Sequence, residues 1–141
     1  MTEAQIENFV LQFTERTLPK LEWTHRAHII VAFWHNWHFD FHDALNMVRK
    51  KIIAYNEAVG TINSDSSGYH ESLTNFWMIL TRNYISDNSF KSVADAYATF
   101  LKTKYSAKDI PFEYYTKEKL FSVKARKEWH NGDINKIELL E

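Results

Sequence analysis

Apolar residues recur along most of the chain at spacings of three and four positions, which is the pattern of amphipathic α-helices. The pattern predicts a first helix that is capped by Thr2 and ends before Leu18. A second helix is predicted from His25 to about His38, with Thr24 as its N-cap. The inward-facing positions predicted for these two helices are Ile6, Phe9, Val10 and Phe13, then Ile29, Ala32, Phe33 and Trp37.

Three or four further helices are predicted downstream. The third ends at Gly60, which suits a C-terminal cap because glycine adopts the left-handed conformation without strain. The polar segment 61–67 then forms a loop. The N-caps predicted for the third, fourth, fifth and final helices are Asp40 or Asp43, Ser66 or Ser67, Ser89, and Thr116. We therefore expect an all-α, single-domain bundle of five or six helices over residues 1–141, mostly up-down in topology.

The amino-acid composition makes several classes of function unexpected. The chain is 45% hydrophobic and 16% aromatic, which is enough for a real core in one domain, and its net charge of −1 makes nucleic-acid binding unexpected. It contains no cysteine, so His, Asp and Glu are the available metal ligands and a reducing compartment is expected. No apolar run approaches the roughly 20 residues needed to cross a bilayer, and the first residues lack signal-peptide features. We therefore expect a cytoplasmic protein that does not insert into membranes.

Three short motifs carry the candidate chemistry: Trp23 to His28, Tyr55 to Glu57, and Gly68 to Glu71. They fall at the start of the second helix, the end of the third and the start of the fourth. Short connections make successive helices antiparallel, so up-down topology brings these three positions to one end of the bundle. The three motifs are therefore predicted to form one site.

Three histidines in these motifs predict a metal centre. His25 and His28 lie one helical turn apart, with Cβ atoms about 5–6 Å from each other, and His70 would reach them from the fourth helix. Such a set holds a divalent metal, with Zn and Fe(II) as the leading candidates. Glu71 or Glu57 would be a fourth ligand or a base acting on metal-bound water. If the protein is an enzyme, we expect hydrolysis or an oxygen-dependent reaction on a small molecule.

Two other interpretations stay open. In the first, the same site holds a small polar ligand without any metal, and its pocket residues are Tyr55, Asn56, Tyr69 and Thr74. In the second, the protein is a structural or interaction module with an exposed aromatic face, which forms a homo-oligomer.

A second histidine pair, His35 and His38, has the same spacing as the first. His35 lies about 10.5 Å along the helix axis from His28, which is too far for the two to share an ion. We predict that His35 and His38 are surface or boundary residues without a metal role.

The motifs also carry a resemblance. The segments 23–28, 55–56, 68–74 and 120–126, followed by Trp129 and Asp133, resemble a family of small uncharacterised bacterial helical proteins with the motif order WxHxxH, GYHE(S/T)xT and LFSxxAR. The similarity covers about residues 20–135. It implies one intact domain with a shared histidine-rich region, and it does not imply a reaction. Ser72 stands where the family pattern has Thr, and residues 129–133 depart from its Trp-x-x-Pro-Asp form.

Overall fold

Local capping signals start the first three helices where the sequence predicts. Thr2 and Gln5 form a reciprocal capping box, and the side chain of Thr24 accepts a hydrogen bond from the backbone N–H of Ala27. Asp40 caps the third helix in the same way. Gly60 follows that helix with φ +82°, which is the left-handed C-terminal position expected of it.

The computed structural model describes residues 1–140, and these residues contain seven α-helices and no β-strand. The predicted all-α class is confirmed, although seven helices exceed the five or six expected. The helices are α1 (Glu3–Thr14), α2 (His25–His38), α3 (Phe41–Ala58), α4 (Glu71–Asp87), α5 (Val93–Phe100), α6 (Lys117–Leu120) and α7 (Val123–Lys127). Short 3₁₀ turns span Lys20–Glu22, Lys104–Ser106 and Ile110–Glu113. None of the described helices is both long and apolar enough to span a membrane.

Two predicted helix starts differ from the structure, and the final predicted helix is divided in two. The N-cap of α4 is His70, because the serines of segment 61–67 bond within their own loop, where the Ser67 hydroxyl donates to the Ile62 carbonyl. Helix α5 is capped by Ser92 rather than Ser89. The final predicted helix begins at its predicted cap, Thr116, but it is divided into α6 and α7 because Ser122 provides a new N-cap after α6 ends. The extra cap accounts for the extra helix.

Helix α2 is the centre of the bundle. It packs against α1, α3, α4 and α5, so apolar side chains occupy most of its circumference. Helices α3 and α4 pack against each other, and α7 packs on α4. This arrangement places the start of α2 beside the end of α3 and the start of α4.

Buried side chains form two clusters. The first core includes Phe13, Tyr55, Phe76 and Tyr115, and it lies among α1, α3, α4 and the segment that follows α5. The second core is built from α1, α2 and α5 and includes Phe33. Partly buried side chains that contact both clusters are Phe9, Trp77 and Leu80. Ala32, Val48, Ile52, Met78 and Leu120 of the first core line the candidate site described below.

Candidate functional site

A cavity of about 910 Å³ opens at the end of the bundle where the three motifs meet. We call it the main cavity. From the motif segments it is lined by Trp23, Thr24, His25, His28, Asn56, Gly68, Tyr69 and His70. The other lining residues are Ala32, Val48, Ile52, Thr61, Leu73, Thr74, Trp77, Met78, Lys108, Asp109, Pro111, Phe112, Leu120 and Phe121. The structure thus brings all three predicted metal-binding histidines to one cavity.

His28 is held in one orientation and one tautomer. Its Nδ1 lies 2.8 Å from the backbone oxygen of Thr24, and since a carbonyl only accepts, Nδ1 carries the hydrogen. The imidazole packs on Trp23 at a centroid distance of 3.9 Å, and Trp23 stacks on Phe13 at 4.5 Å. Burial lowers the pKa of His28 to about 4. The ring is therefore neutral near pH 7, and Nε2 is a hydrogen-bond acceptor without a partner among residues 1–140.

His25 bonds to the backbone through its other ring nitrogen, Nε2. Its Nε2 lies 2.8 Å from the backbone oxygen of Ser106, and since a carbonyl only accepts, Nε2 carries a hydrogen. Its ring packs against Trp77 with centroids 5.0 Å apart. The contact with Ser106 ties the start of α2 to the segment between α5 and α6, which closes one side of the main cavity.

His70 uses both ring nitrogens for structure. Nδ1 accepts from the backbone N–H of Leu73 at 3.1 Å and so caps α4, while Nε2 donates to the backbone oxygen of Leu120 at 2.7 Å. Burial acts first to lower the pKa of His70, which favours the neutral form that these two bonds require. Coordination of a metal by His70 would require one of these bonds to break.

Within residues 1–140, no group of three or more His, Cys, Asp or Glu side chains is arranged to hold a metal ion. His25, His28 and His70 share the main cavity, but each ring has its own hydrogen-bond partner on the backbone. The metal centre therefore stays a prediction.

Glu71 is part of an ion-pair network outside the main cavity. Arg49 donates to both of its carboxylate oxygens, at 2.8 and 2.6 Å, and the Tyr69 hydroxyl and the Asn75 amide donate to it as well. Burial acts to raise the pKa of Glu71, but these hydrogen bonds outweigh it and hold the pKa below its usual value. The carboxylate lines a separate cavity of about 580 Å³. These contacts indicate that the Glu71 carboxylate has a structural role.

The other predicted site residues divide between pocket and core. Glu57 is exposed and lines neither cavity. Tyr55 is fully buried in the first core, where its hydroxyl donates to the Leu18 carbonyl at 2.8 Å. Asn56 and Thr74 line the main cavity, and Tyr69 lies between the two cavities.

Sequence reasoning missed the wall formed by residues 108–121. Lys108, Asp109, Phe112 and Phe121 lie far in sequence from the three motifs, and they reach the main cavity through the fold. The rings of Phe112 and Phe121 pack together with centroids 5.9 Å apart. The one sequence signal for this wall is the Leu120–Phe121 pair, which belongs to the third segment of the family pattern.

The prediction for the second histidine pair is wrong for His35 only, since His38 is exposed as predicted. His35 is fully buried rather than at the surface or boundary, because α2 is covered on most sides. Its Nδ1 donates to the Val31 carbonyl at 2.7 Å, and its Nε2 lies 2.8 Å from Nζ of Lys51. Burial, followed by the charge of Lys51, lowers its pKa to about 4.

The fold and the cavity define the class: an all-α protein with an aromatic-walled cavity at one end of its helical bundle. Comparison of the chain with protein-family models, with curated proteins and with solved structures gives no match. The resemblance to the bacterial helical family stays a prediction.

Proposed function

We propose that this chain is a small-molecule-binding protein whose ligand occupies the main cavity. The observation that carries the proposal is the cavity itself, since about 910 Å³ falls within the roughly 300–1,000 Å³ typical of small-molecule sites. Its walls are mainly apolar and aromatic, with a few polar groups among them. Binding sites for small molecules have this composition, because apolar walls supply affinity and a few oriented polar groups supply specificity.

The polar groups of the main cavity are already oriented. The bonds from His28 to Thr24 and from His25 to Ser106 hold the two imidazoles before any ligand arrives. Preorganisation of this kind lowers the entropic cost of binding. The carboxylates proposed as catalytic from the sequence, Glu71 and Glu57, do not line this cavity. The geometry therefore favours binding over a reaction assisted by Glu57 or Glu71.

A fragment screen with a cavity-blocking variant tests the proposal. Thr74 lines the main cavity, and Thr74→Trp places an indole in it. Thr14→Trp is the matched control, because Thr14 is exposed at the end of α1 and lines neither cavity. We expect ligand-observed NMR to find fragments that bind the wild type and Thr14→Trp alike and bind Thr74→Trp at least tenfold more weakly. Circular dichroism would verify that both variants are folded.

Two results would overturn this proposal. One is the absence of any binding fragment for the wild-type protein. The other is equal binding of the fragments by folded Thr74→Trp, which would place their site elsewhere on the molecule.

Metal binding is the second candidate, and the meeting of three histidines at the main cavity favours it. Zn or Fe(II) would be the ion, with His25, His28 and His70 as ligands. Elemental analysis of untagged protein beside the His28→Ala/His70→Ala double variant tests it. We expect near-stoichiometric metal in the wild type and its loss in the variant if this candidate is correct. Absence of metal after incubation with divalent ions would reject it.

We also propose a cytoplasmic location, which the cysteine-free sequence supports because a reducing compartment removes the use for disulfides. Fractionation of cells that express the full-length gene tests it. Recovery with a membrane or secreted fraction would contradict the location without affecting the cavity.

A further inference from the structure

Six polar side chains of the main cavity share one property: each already donates a hydrogen bond within the protein, and these are His25, His28, Asn56, Tyr69, His70 and Thr74. We propose that the ligand is an uncharged, largely apolar planar molecule with a hydroxyl or N–H group that donates to Nε2 of His28. This inference rests on the proposed small-molecule function and adds the chemical class of the ligand.

The first argument is the direction of the hydrogen bonds. His25, His28 and His70 each donate their ring hydrogen to a backbone oxygen. Thr74 donates its hydroxyl to the His70 carbonyl, and Tyr69 donates to Glu71. What His28 and Thr74 still offer to a ligand is lone pairs, whereas both ring nitrogens of His70 are used within the protein. A ligand that binds them must therefore supply the hydrogen.

His28 is the best placed of these acceptors. The Nδ1 bond to Thr24 leaves the lone pair on Nε2, and the stack of Phe13, Trp23 and His28 restricts rotation of the ring. No described residue donates to Nε2. The nitrogen is therefore presented to whatever molecule enters the main cavity.

The second argument is charge. The low pKa of His28, together with the burial that lowers the pKa of His70, keeps both rings neutral near pH 7. The remaining charged groups on the lining are Lys108 and Asp109, which are exposed, adjacent and opposite in sign. A charged ligand would lose hydration on entering this cavity, and the charges it would meet are this exposed, solvent-screened pair of opposite sign, of which Lys108 also contributes to the low pKa of His28. An uncharged ligand avoids that penalty.

The third argument is the shape and chemistry of the walls. Trp23, Trp77, Phe112 and Phe121 supply aromatic surface, and Leu73 and Met78 add aliphatic surface. Flat apolar molecules pack well against such walls, because ring faces bury a large area and stack in offset or edge-on geometry. A planar ring with one donor matches both the walls and Nε2 of His28.

Two probes of the same shape test the inference: 2-naphthol, which has a hydroxyl donor, and 2-methylnaphthalene, which has a methyl group in its place. Their affinities would be measured by calorimetry for the wild type and for His28→Phe, which keeps a ring against Trp23 and removes the acceptor. We expect the preference for 2-naphthol over 2-methylnaphthalene to fall about three- to tenfold in His28→Phe, the value of one hydrogen bond. We also expect 2-naphthoate to bind the wild type more weakly than 2-naphthol.

A measurement on the unmodified protein covers the case in which His28→Phe does not fold. The ¹⁵N resonance of His28 Nε2 reports directly on a bond to that nitrogen. We expect 2-naphthol to shift it and 2-methylnaphthalene to leave it nearly unchanged.

The outcomes separate the two proposals. If both naphthalenes bind the wild type but His28→Phe keeps the same preference, or if the Nε2 resonance responds to both alike, the inference is wrong and the small-molecule site stands. Tighter binding of 2-naphthoate than of 2-naphthol would also overturn the inference alone. If neither naphthalene binds but other fragments bind and are blocked by Thr74→Trp, the ligand class is wrong and the function is upheld.

Discussion

Two histidines on the same helix, His28 and His35, have nearly the same local chemistry. In each, Nδ1 donates to the carbonyl oxygen four residues earlier, at 2.8 Å for His28 and 2.7 Å for His35. Burial is the main cause that lowers the pKa of each to about 4. Each ring is therefore neutral near pH 7 and has its lone pair on Nε2.

The surroundings of Nε2 distinguish the two residues. In His35 this nitrogen lies 2.8 Å from Nζ of Lys51, and the ring is fully buried. In His28 it has no described partner, and the ring lines the main cavity. The same bond from Nδ1 therefore leaves Nε2 in two different surroundings. At His35 it takes part in an internal hydrogen bond with Lys51, whereas at His28 it is an acceptor beside a cavity. Of these two neutral histidines, His28 alone has a second nitrogen without a described protein partner.

Acidification is expected to have the largest effect, and it acts on both histidines. An unfolded histidine has a pKa of about 6.5, so the unfolded chain binds more protons than the folded one as pH falls from about 6.5 to about 4. Stability is then full above pH 6.5 and decreases below it, by at most about 1.4 kcal/mol per pH unit for each histidine. Urea unfolding at several pH values between 7 and 4 measures it.

Matched variants separate the two contributions to this pH dependence. Both His28→Gln and His35→Gln should flatten the decrease in stability, because each removes one titrating ring. A decrease between pH 6.5 and 4 that neither variant changes would show that other groups cause it.

Replacing each of the two histidines by alanine should have a smaller effect on stability, and it should distinguish His35 from His28. His35→Ala should lower the free energy of unfolding by about 3 kcal/mol, since it leaves a hole in a fully buried region and removes the partner of Lys51. His28→Ala should lower it by about 1 kcal/mol, because that ring already borders a cavity. Urea unfolding at pH 7 checks both values. Equal losses would contradict the distinction between a histidine enclosed by the core and one that borders a cavity.

Removal of the Lys51 charge should produce the smallest effect. The positive charge of Lys51 contributes to the low pKa of His35, second to burial, so Lys51→Met should raise that pKa. His28 is the internal control, since Lys51 is not among the groups that shift its pKa. NMR titration of the histidine ring protons follows both residues in one sample. A parallel shift of His28, or no shift of His35, would contradict the arrangement.

Helix α2 shows how far local reasoning succeeds. Thr24 is a standard cap, and the helix it starts has the predicted bounds, His25 to His38. Helix α4 shows where such reasoning fails. Histidine is not a residue that sequence rules favour as a cap, and His70 takes this role with the support of Leu120, which is 50 positions away. A cap that depends on a distant residue cannot be predicted from a local sequence pattern.

The candidate site was predictable to a similar degree. Short connections and alternating helix directions were sufficient to place His25, His28, Asn56 and His70 around one cavity. The role of Glu71 was not predictable, because Arg49 belongs to another helix and its bidentate bond is made only when α3 and α4 pack. The wall at residues 108–121 depended on the same kind of long-range packing.

By itself, the sequence determined the all-α class and the N-caps of α1, α2, α3 and α6, since each of those caps depends on a bond within one helical turn. The tertiary structure decided which histidine meets Lys51, which meets a cavity and which becomes a cap. The physical reason is range. A cap is made by residues three positions apart and forms with its helix, whereas the environment of a ring is set by side chains that only the packed bundle brings near it.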